Sequence, residues 1–324
     1  MENKRDIKDL RIVFMGTPEF AVASLDKILE SGINIVGVVT APDRPAGRGY
    51  QLKTSAVKEY ALSKGLHIIQ PEKLKSETFL EELKSLKADL QIVVAFRMLP
   101  EVVWNMPDLG TFNLHASLLP KYRGAAPINW AIINGEKETG VTTFFLNHEI
   151  DTGAIIDQRS IDIADNYNAG DLHDALKELG SNLVVDTIKK IANNSYHLKD
   201  QSKFSDNEIN FAPKLNKDNC KIDWNKSPEE VHNLIRGLSP YPGAWTKIKL
   251  LNSDKRFLMK IFSSSFITKP GTIPGKVLQD DTGLGVHCKE GMIYIKDLQL
   301  EGKKRMKAEE LLRGTAFDES YIID

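Results

Sequence analysis

The stretch RIVFMGTPEFAVASLDKILESGINIVGVVT, residues 11–40, decides the fold. Residues 11–16 form a short apolar run that ends at Gly16. A helical pattern follows from Pro18 to Glu30, with Phe20, Val22, Leu25, Ile28 and Leu29 at its apolar positions. Residues 33–40 then read as a second buried strand. Strand, helix and strand at this spacing make a βαβ unit. A continuous apolar run, without polar alternation, belongs to a strand covered on both faces, as in a parallel sheet.

The alternation continues downstream. The pattern predicts helices near 54–64, 76–86, 98–105, 126–134 and 170–192, and strands at 67–69, 90–96, 111–116 and 140–147. This is an α/β domain with a Rossmann-like, doubly wound parallel sheet, and ligands are expected at the carboxyl ends of its strands. Gly16-Thr17-Pro18-Glu19-Phe20 sits where a dinucleotide fingerprint would begin. It is not G-x-G-x-x-G, and Glu19 at the helix start would repel a pyrophosphate. No Walker A motif occurs. The domain is therefore expected to work without NAD.

Periodicity fades over 193–213, a polar, punctuated stretch that reads as a linker. The expected division is a catalytic domain over 1–204, a linker over 205–213 and a second domain over 214–324. Residues 227–238 are helical, with Ser227 as N-cap, Pro228 at the first position and Glu230 completing a capping box. Five short strand patterns follow, at 245–251, 256–267, 272–278, 284–288 and 292–300, and a helix is expected at 306–314. Such a run suggests a small OB-like β-barrel, a shape often used on nucleic acid, although a purely structural β domain fits the pattern as well.

With 324 residues, 41% hydrophobic and 27% charged, the chain is long enough for two cores. The formal net charge of −1 hides an asymmetry. From Ala212 onward 19 Lys and Arg stand against 15 Asp and Glu, a net of +4, which leaves −5 for the rest. A mildly basic second domain suits a polyanionic partner, and it equally suits a plain solvated surface. Cys220 and Cys288 make neither a disulfide framework nor a zinc spacing. The charged start, Met1 to Leu10, has no apolar signal-peptide core, and no apolar stretch approaches the roughly 18–20 residues of a membrane span. A cytoplasmic protein without a membrane partner is expected.

The chemistry is concentrated in Asn113-Leu114-His115, followed by Ser117-Leu118-Leu119-Pro120, with Asp151-Thr152-Gly153 downstream. An amide and an imidazole can both donate to an oxyanion. A carboxylate can orient the imidazole, hold it protonated, or take a proton from an incoming amine. No Ser or Cys nucleophile is needed if the attacking group belongs to the substrate. Asp151 before Thr-Gly also has the makings of an ordinary turn. The other histidines, His67, His148, His173, His197, His232 and His287, lack partners at metal spacing and read as structural or exposed.

The run from Asn113 through Arg123-Gly124 to Pro127 resembles the signature of the folate-dependent formyltransferases. The likeness covers nearly the whole chain and includes Ile222-Asp223-Trp224, Arg236 and Tyr241-Pro242-Gly243-Ala244-Trp245. It implies that Asn113, His115 and Asp151 are the catalytic set and that 10-formyltetrahydrofolate is the co-substrate, with no metal. It places the folate beside Phe96, Arg97, Met98, Leu99, Ser117, Leu118, Leu119, Pro120, Glu149 and Ile150. The segment Ala95–Pro100 is one residue shorter than the family pattern and lacks its Gly, so the resemblance specifies its backbone contacts less closely.

The loop Thr40–Gly49 resembles an insertion found in members whose acceptor is initiator methionyl-tRNA. Arg44 and Arg48 lie there among Pro and Gly, which disfavour regular structure and keep the guanidinium groups projecting toward phosphates. Gly302-Lys303-Lys304-Arg305-Met306 adds a basic cluster, so Lys303, Lys304 and Arg305 are expected to join the arginines on tRNA. A monomer is expected. Formylation of a small amine, such as glycinamide ribonucleotide or a nucleotide-linked amino sugar, is the alternative, and a non-catalytic tRNA-binding protein is another.

Overall fold

The structure is a computed structural model that describes residues 6–46, 51–204, 209–250, 256–271, 273–317 and 321–323. It divides into two compact units. The first comprises Met1–Gly124, Thr139–Ile161 and His173–Phe211, and the second Ala125–Glu138, Asp162–Leu172 and Ala212–Asp324.

The elements run β1 (Ile12–Gly16), α1 (Glu19–Glu30), β2 (Ile35–Val39), β3 (Arg44–Ala46), β4 (Gln51–Lys53), α2 (Ala56–Ser63), β5 (Ile68–Ile69), α3 (Glu77–Ser85), β6 (Leu90–Val94), α4 (Glu101–Trp104) and β7 (Thr111–His115). They continue with β8 (Arg123–Gly124), α5 (Pro127–Ile133), β9 (Glu138–Phe145), β10 (Ile155–Asp162), α6 (Ala169–Ala192) and β11 (Phe211–Ala212).

The main sheet has the order β10-β9-β7-β6-β1-β2-β5. β1 pairs in parallel with β2 and β6, and β6 with β7, whereas β9 runs antiparallel to β7. Every residue of β1 and β6 is buried, as their unbroken apolar runs require. The sheet grows one way from β1 through β2 and the other way through β6. The crevice between the carboxyl ends of β1 and β6 is therefore the switch point at which such sheets take ligands. Gly16 ends β1 there. A Cβ at Gly16 would lie 2.6 Å from Ala21 Cβ and 3.1 Å from Val94 O, so close packing, not a phosphate, explains this glycine.

Three differences from the sequence reading have local causes. Arg44–Ala46 is a strand paired antiparallel with Gln51–Lys53, although Pro and Gly were expected to keep this stretch irregular. A three-residue hairpin arm tolerates Pro45 because only one edge is paired. The helix expected at 98–105 is one turn, because Pro100 occupies its N-cap. β10 has no counterpart in the reading: it is the sheet's edge, and its outer half is only partly buried.

In the second unit, α7 (Pro228–Gly237) begins with the expected capping box. Glu230 N donates to Ser227 Oγ at 3.2 Å and Ser227 N to Glu230 Oε2 at 3.0 Å. Such a cap contributes about 1 kcal/mol. α5 and α7 cross closely enough that a Cβ at Gly237 would sit 2.6 Å from Ile133 Cγ1.

The strands β12 (Ala244–Leu250), β13 (Arg256–Thr268), β14 (Val277–Asp280), β15 (Gly283–Cys288) and β16 (Gly291–Leu300) follow, then β17 (Met306–Lys307), α8 (Ala308–Leu312) and β18 (Tyr321–Ile323). They form an antiparallel sheet of order β14-β15-β16-β13-β12-β18, with β17 on β16. All five expected strands are present. β14 starts later than expected, after Pro274 and a left-handed Gly275, and α8 is shorter because Met306–Lys307 pairs with β16. Ile222, Trp224, Ile235, Trp245, Ile261 and Ile293 meet in this unit's core.

Candidate active site

β7 brings the first two site residues together. Side chains two apart on a strand share a face, so Asn113 and His115 project to one side while Phe112 and Leu114 project to the other. The second face is closed by α6, where a Cβ at Gly180 would meet Leu114 Cδ2 at 2.8 Å. His115 ends the strand opposite Thr142 of β9 and is 6% exposed. Asn113 is half-buried, and its side-chain amide makes no hydrogen bond among the described residues.

His115 Nε2 lies 2.8 Å from the carbonyl oxygen of Tyr122. A carbonyl can only accept, so Nε2 carries hydrogen and Nδ1 is left for chemistry. Nδ1 faces Asp151 Oδ2 at 3.9 Å, an ion-pair separation too long for a hydrogen bond. The ring's hydrogen bond is thus to the Tyr122 carbonyl, with the carboxylate at ion-pair distance on the other nitrogen. Asp151 is itself held by the Gly124 N–H, which donates to Oδ2 at 2.9 Å.

Asp151 is also the turn residue that Asp-Thr-Gly suggested, with φ 56°. Thr152 Oγ1 donates to Asn147 Oδ1 at 3.0 Å, closing the loop's tip. A Cβ at Gly153 would fall 1.7 Å from Phe145 O, so only glycine lets the loop return against β9. Tyr122, whose carbonyl orients His115, is likewise left-handed, at φ 61°. A left-handed residue other than glycine costs about 1–2 kcal/mol, and here two of them present oxygens to the two nitrogens of one imidazole.

The loop after β7 is built as firmly. Ser117 Oγ donates to Lys121 O at 2.6 Å, and Leu119–Pro120 is a cis peptide bond. Thr142 Oγ1 donates to Ser117 O at 2.6 Å and accepts from Leu119 N at 3.1 Å. Gln158 Nε2 donates to Leu119 O at 2.9 Å. Buried polar groups fully paired in this way fix a backbone.

A carbonyl-tied imidazole, an unpartnered amide and a carboxylate facing Nδ1 can stabilise a tetrahedral oxyanion and accept a proton without a protein nucleophile. Residues 10–188 match the formyl transferase family, and residues 214–316 match the formyl transferase C-terminal domain. The chain belongs to the formyl transferase family. A protein of Flavobacterium johnsoniae named methionyl-tRNA formyltransferase is 55% identical over 98% of this chain and 100% of its own length. One of Bacteroides fragilis with the same name is 53% identical over 97% of this chain and 98% of its own. Among solved structures, an N-formyltransferase from Helicobacter canadensis, in complex with folinic acid and dTDP-3-aminofucose, is similar at 25% identity with a TM-score of 0.64. That match covers 88% of this chain and 99% of the other.

The remaining expected contacts of this formyl transferase sit in contrasting surroundings. Ser117, Leu119 and Pro120 are buried, and Leu118 is half-buried. Phe96 packs half-buried into the apolar cluster with Val93 and Leu99. Arg97 lies over the Phe96 ring at 5.6 Å and donates to the carbonyls of Glu72, at 3.0 Å, and Pro71. Burial, then the nearby Arg44, lowers the Arg97 pKa. Met98 and Ile150 stand 71% and 60% exposed, and Glu149 is exposed beside Ile150. His148 meets the edge of Trp104 at 5.4 Å and Glu101 at 3.7 Å, which ties the loop to α4.

Arg44 is exposed on its hairpin arm, and Arg48 lies outside the described residues. The hairpin's base is pinned: Thr40 Oγ1 and Ser55 Oγ are 2.7 Å apart, and Asp43 binds Lys58 and Gln70. Those two bonds hold the Asp43 carboxyl below its ordinary pKa. In the second unit Lys303 and Lys304 are exposed and form no ion pair among the described residues. Arg305 is engaged, with Nη2 2.6 Å from Asp297 Oδ2 and its guanidinium 4.4 Å from the centre of the Phe262 ring.

The sequence reading missed Thr142, Gln158, Arg123 and Gln201. Arg123 stood in the quoted signature without a role. Gln201 lies in a polar stretch with no periodicity to single it out.

Proposed function

We propose that the chain transfers a formyl group from 10-formyltetrahydrofolate to the α-amino group of initiator methionyl-tRNA. The reaction class is supported by Asn113 and His115 two apart on one strand, with the Asp151 carboxylate 3.9 Å from His115 Nδ1. Near-full-length likeness to proteins named for this acceptor supports the choice of amine.

An α-amino group titrates near 7.7–8.0 and an ester lowers it further, so the neutral amine is available at about pH 7. Its nitrogen attacks the formyl carbon, and the carbonyl π electrons move onto oxygen. The Asn113 amide and a protonated His115 Nδ1 donate to that oxyanion, each worth about 10²–10³ in rate. Asp151 balances the imidazolium and takes the proton leaving the attacking nitrogen. The bond from the formyl carbon to the folate nitrogen then breaks, that nitrogen takes up a proton, and the amide product remains. Asn113 is suited to the oxyanion because its amide has no partner among the described residues to give up.

The folate is assigned to the flank that bears Phe96–Leu99, Leu118, Glu149 and Ile150, with the buried Ser117, Leu119 and Pro120 shaping the loop behind it. Catalysis is assigned to residues 1–204. tRNA contacts are assigned to Arg44 and Arg48 and, within 214–324, to Lys303, Lys304 and Arg305. A cytoplasmic monomer belongs to the same reading.

Formyl incorporation into charged initiator tRNA, compared with incorporation into glycinamide ribonucleotide and amino-sugar nucleotides, tests the proposal. Preference for a small amine by kcat/KM would overturn the acceptor. No transfer to any amine would overturn the chemistry.

A further inference from the structure

Gln201 is 2% exposed, and a buried amide at that depth needs partners for every polar atom. It has them. Oε1 accepts from Arg123 Nη2 at 2.7 Å and Nε at 3.2 Å. Nε2 donates to the carbonyls of Gly153 at 2.7 Å and Asp151 at 3.0 Å. Two acceptor positions and two N–H groups are the full capacity of a glutamine side chain.

The two segments it joins are those that build the reaction corner. Residues 122–124 give the carbonyl that orients His115 and the N–H that binds the Asp151 carboxylate. Residues 151–153 carry the carboxylate itself, with Asp151 in the left-handed conformation. Burial lowers the Arg123 pKa, while the Asp151 and then the Glu149 charge raise it.

We propose that Gln201 is a positioning residue: its amide bridges Arg123 to the backbone of Asp151 and Gly153 and so fixes the Asp151 carboxylate relative to His115 Nδ1. The proposal rests on the reading of Asp151 as part of the reaction machinery. Among the described residues Gln201 hydrogen-bonds neither the imidazole nor the Asp151 carboxylate, so it acts through the backbone of its neighbours.

Gln201→Glu separates the two halves of the bridge. It keeps size and the bond to Arg123 and removes both donors to the carbonyls. With the full chain, initiator methionyl-tRNA and 10-formyltetrahydrofolate, kcat should fall about 10–10²-fold and no further than in Asp151→Asn, the cost of misplacing the carboxylate, with KM for the folate unmoved. Gln201→Ala should fall at least as far. Hydrogen exchange should rise in the peptides that carry Gly124 and Gly153 and stay unchanged in β1 and β6.

Adding Gln201→Glu to Asp151→Asn should cost no further rate, because the first change acts only through the second residue. If Asp151→Asn is slow but Gln201→Glu turns over at the wild-type rate, the bridge is not a positioning device. The same follows if the two losses multiply, or if β1 and β6 loosen along with the loop. Asp151→Asn at the wild-type rate would remove the reading beneath the proposal and the proposal with it.

Discussion

The His115 corner and the flank that carries Met98 and Ile150 belong to one unit and are built in opposite ways. At the corner His115 is 6% exposed, its Nε2 is committed to Tyr122, and Asp151 is tied by Gly124 from below. On the flank, Met98 is 71% exposed and Ile150 60%. The first arrangement has its orientation fixed before any ligand arrives. The second leaves apolar area uncovered, which the proposed folate would bury. Groups that must meet a transition state benefit from the first, because reorganisation then costs nothing at the moment of reaction. Groups that only hold a ring system benefit from the second, because their gain is area removed from water.

The corner should therefore fail in turnover. His115→Ala should lower kcat on the order of 10³-fold and Asn113→Ala by about 10²–10³, with folate binding and the circular dichroism spectrum intact. Titration of the folate alongside single-turnover transfer measures both. Near-normal turnover in either folded variant would sink the mechanism.

Asp151→Asn comes next. The new amide oxygen can still accept from Gly124, so the loop should hold while the charge opposite Nδ1 is lost. We expect a kcat lower by about 10–10²-fold with the folate dissociation constant unchanged. A variant that keeps the wild-type rate from about pH 6 to 9 would reduce Asp151 to a turn residue.

How much of this was open to a reader of the sequence depends on where each residue's reason lies. β1, α1, β2, β6 and β7 announce themselves because burial on both faces dictates their composition locally. Asn113 and His115 follow at once, since a spacing of two on a strand sets a shared face. Asp151 was legible both as a turn and as a catalyst; the turn is observed, and it leaves the carboxylate 3.9 Å from His115 Nδ1. The long-range partners left no local trace. Gln201 reaches Arg123 across 78 positions and Gly153 across 48, from a stretch that reads as linker. The β3–β4 arm hid behind Pro and Gly, and residues 125–138 and 162–172 join the second unit by packing that no nearby pattern specifies.

The flank should fail in affinity instead. Met98→Asp places a charge where an apolar group of roughly 1.5–3 kcal/mol burial value stands, so KM for the folate should rise about tenfold or more while kcat moves little. Ile150→Asp should behave similarly and more weakly, since Ile150 is less exposed. A kcat defect with unchanged folate affinity would place these residues with the corner and end the contrast.

Arg44→Ala is expected to have the smallest effect and to extend the contrast to a third kind of surface, one that is neither prearranged nor apolar. The side chain is exposed on a two-stranded arm whose foot is held by Thr40 against Ser55 and by Asp43 against Lys58 and Gln70. A firm foot under an exposed guanidinium suits a backbone phosphate, which binds by charge and carries no sequence information. The variant should weaken binding of any tRNA by a similar factor and reduce the slope of log affinity against log salt by about one unit. kcat at saturating tRNA should hold. Transfer to methionyl-tRNA over a salt series, beside folate titration, separates this from a cover over the folate. An Arg44→Ala enzyme with an unchanged salt slope and weakened folate binding would move the arm from the tRNA to the flank.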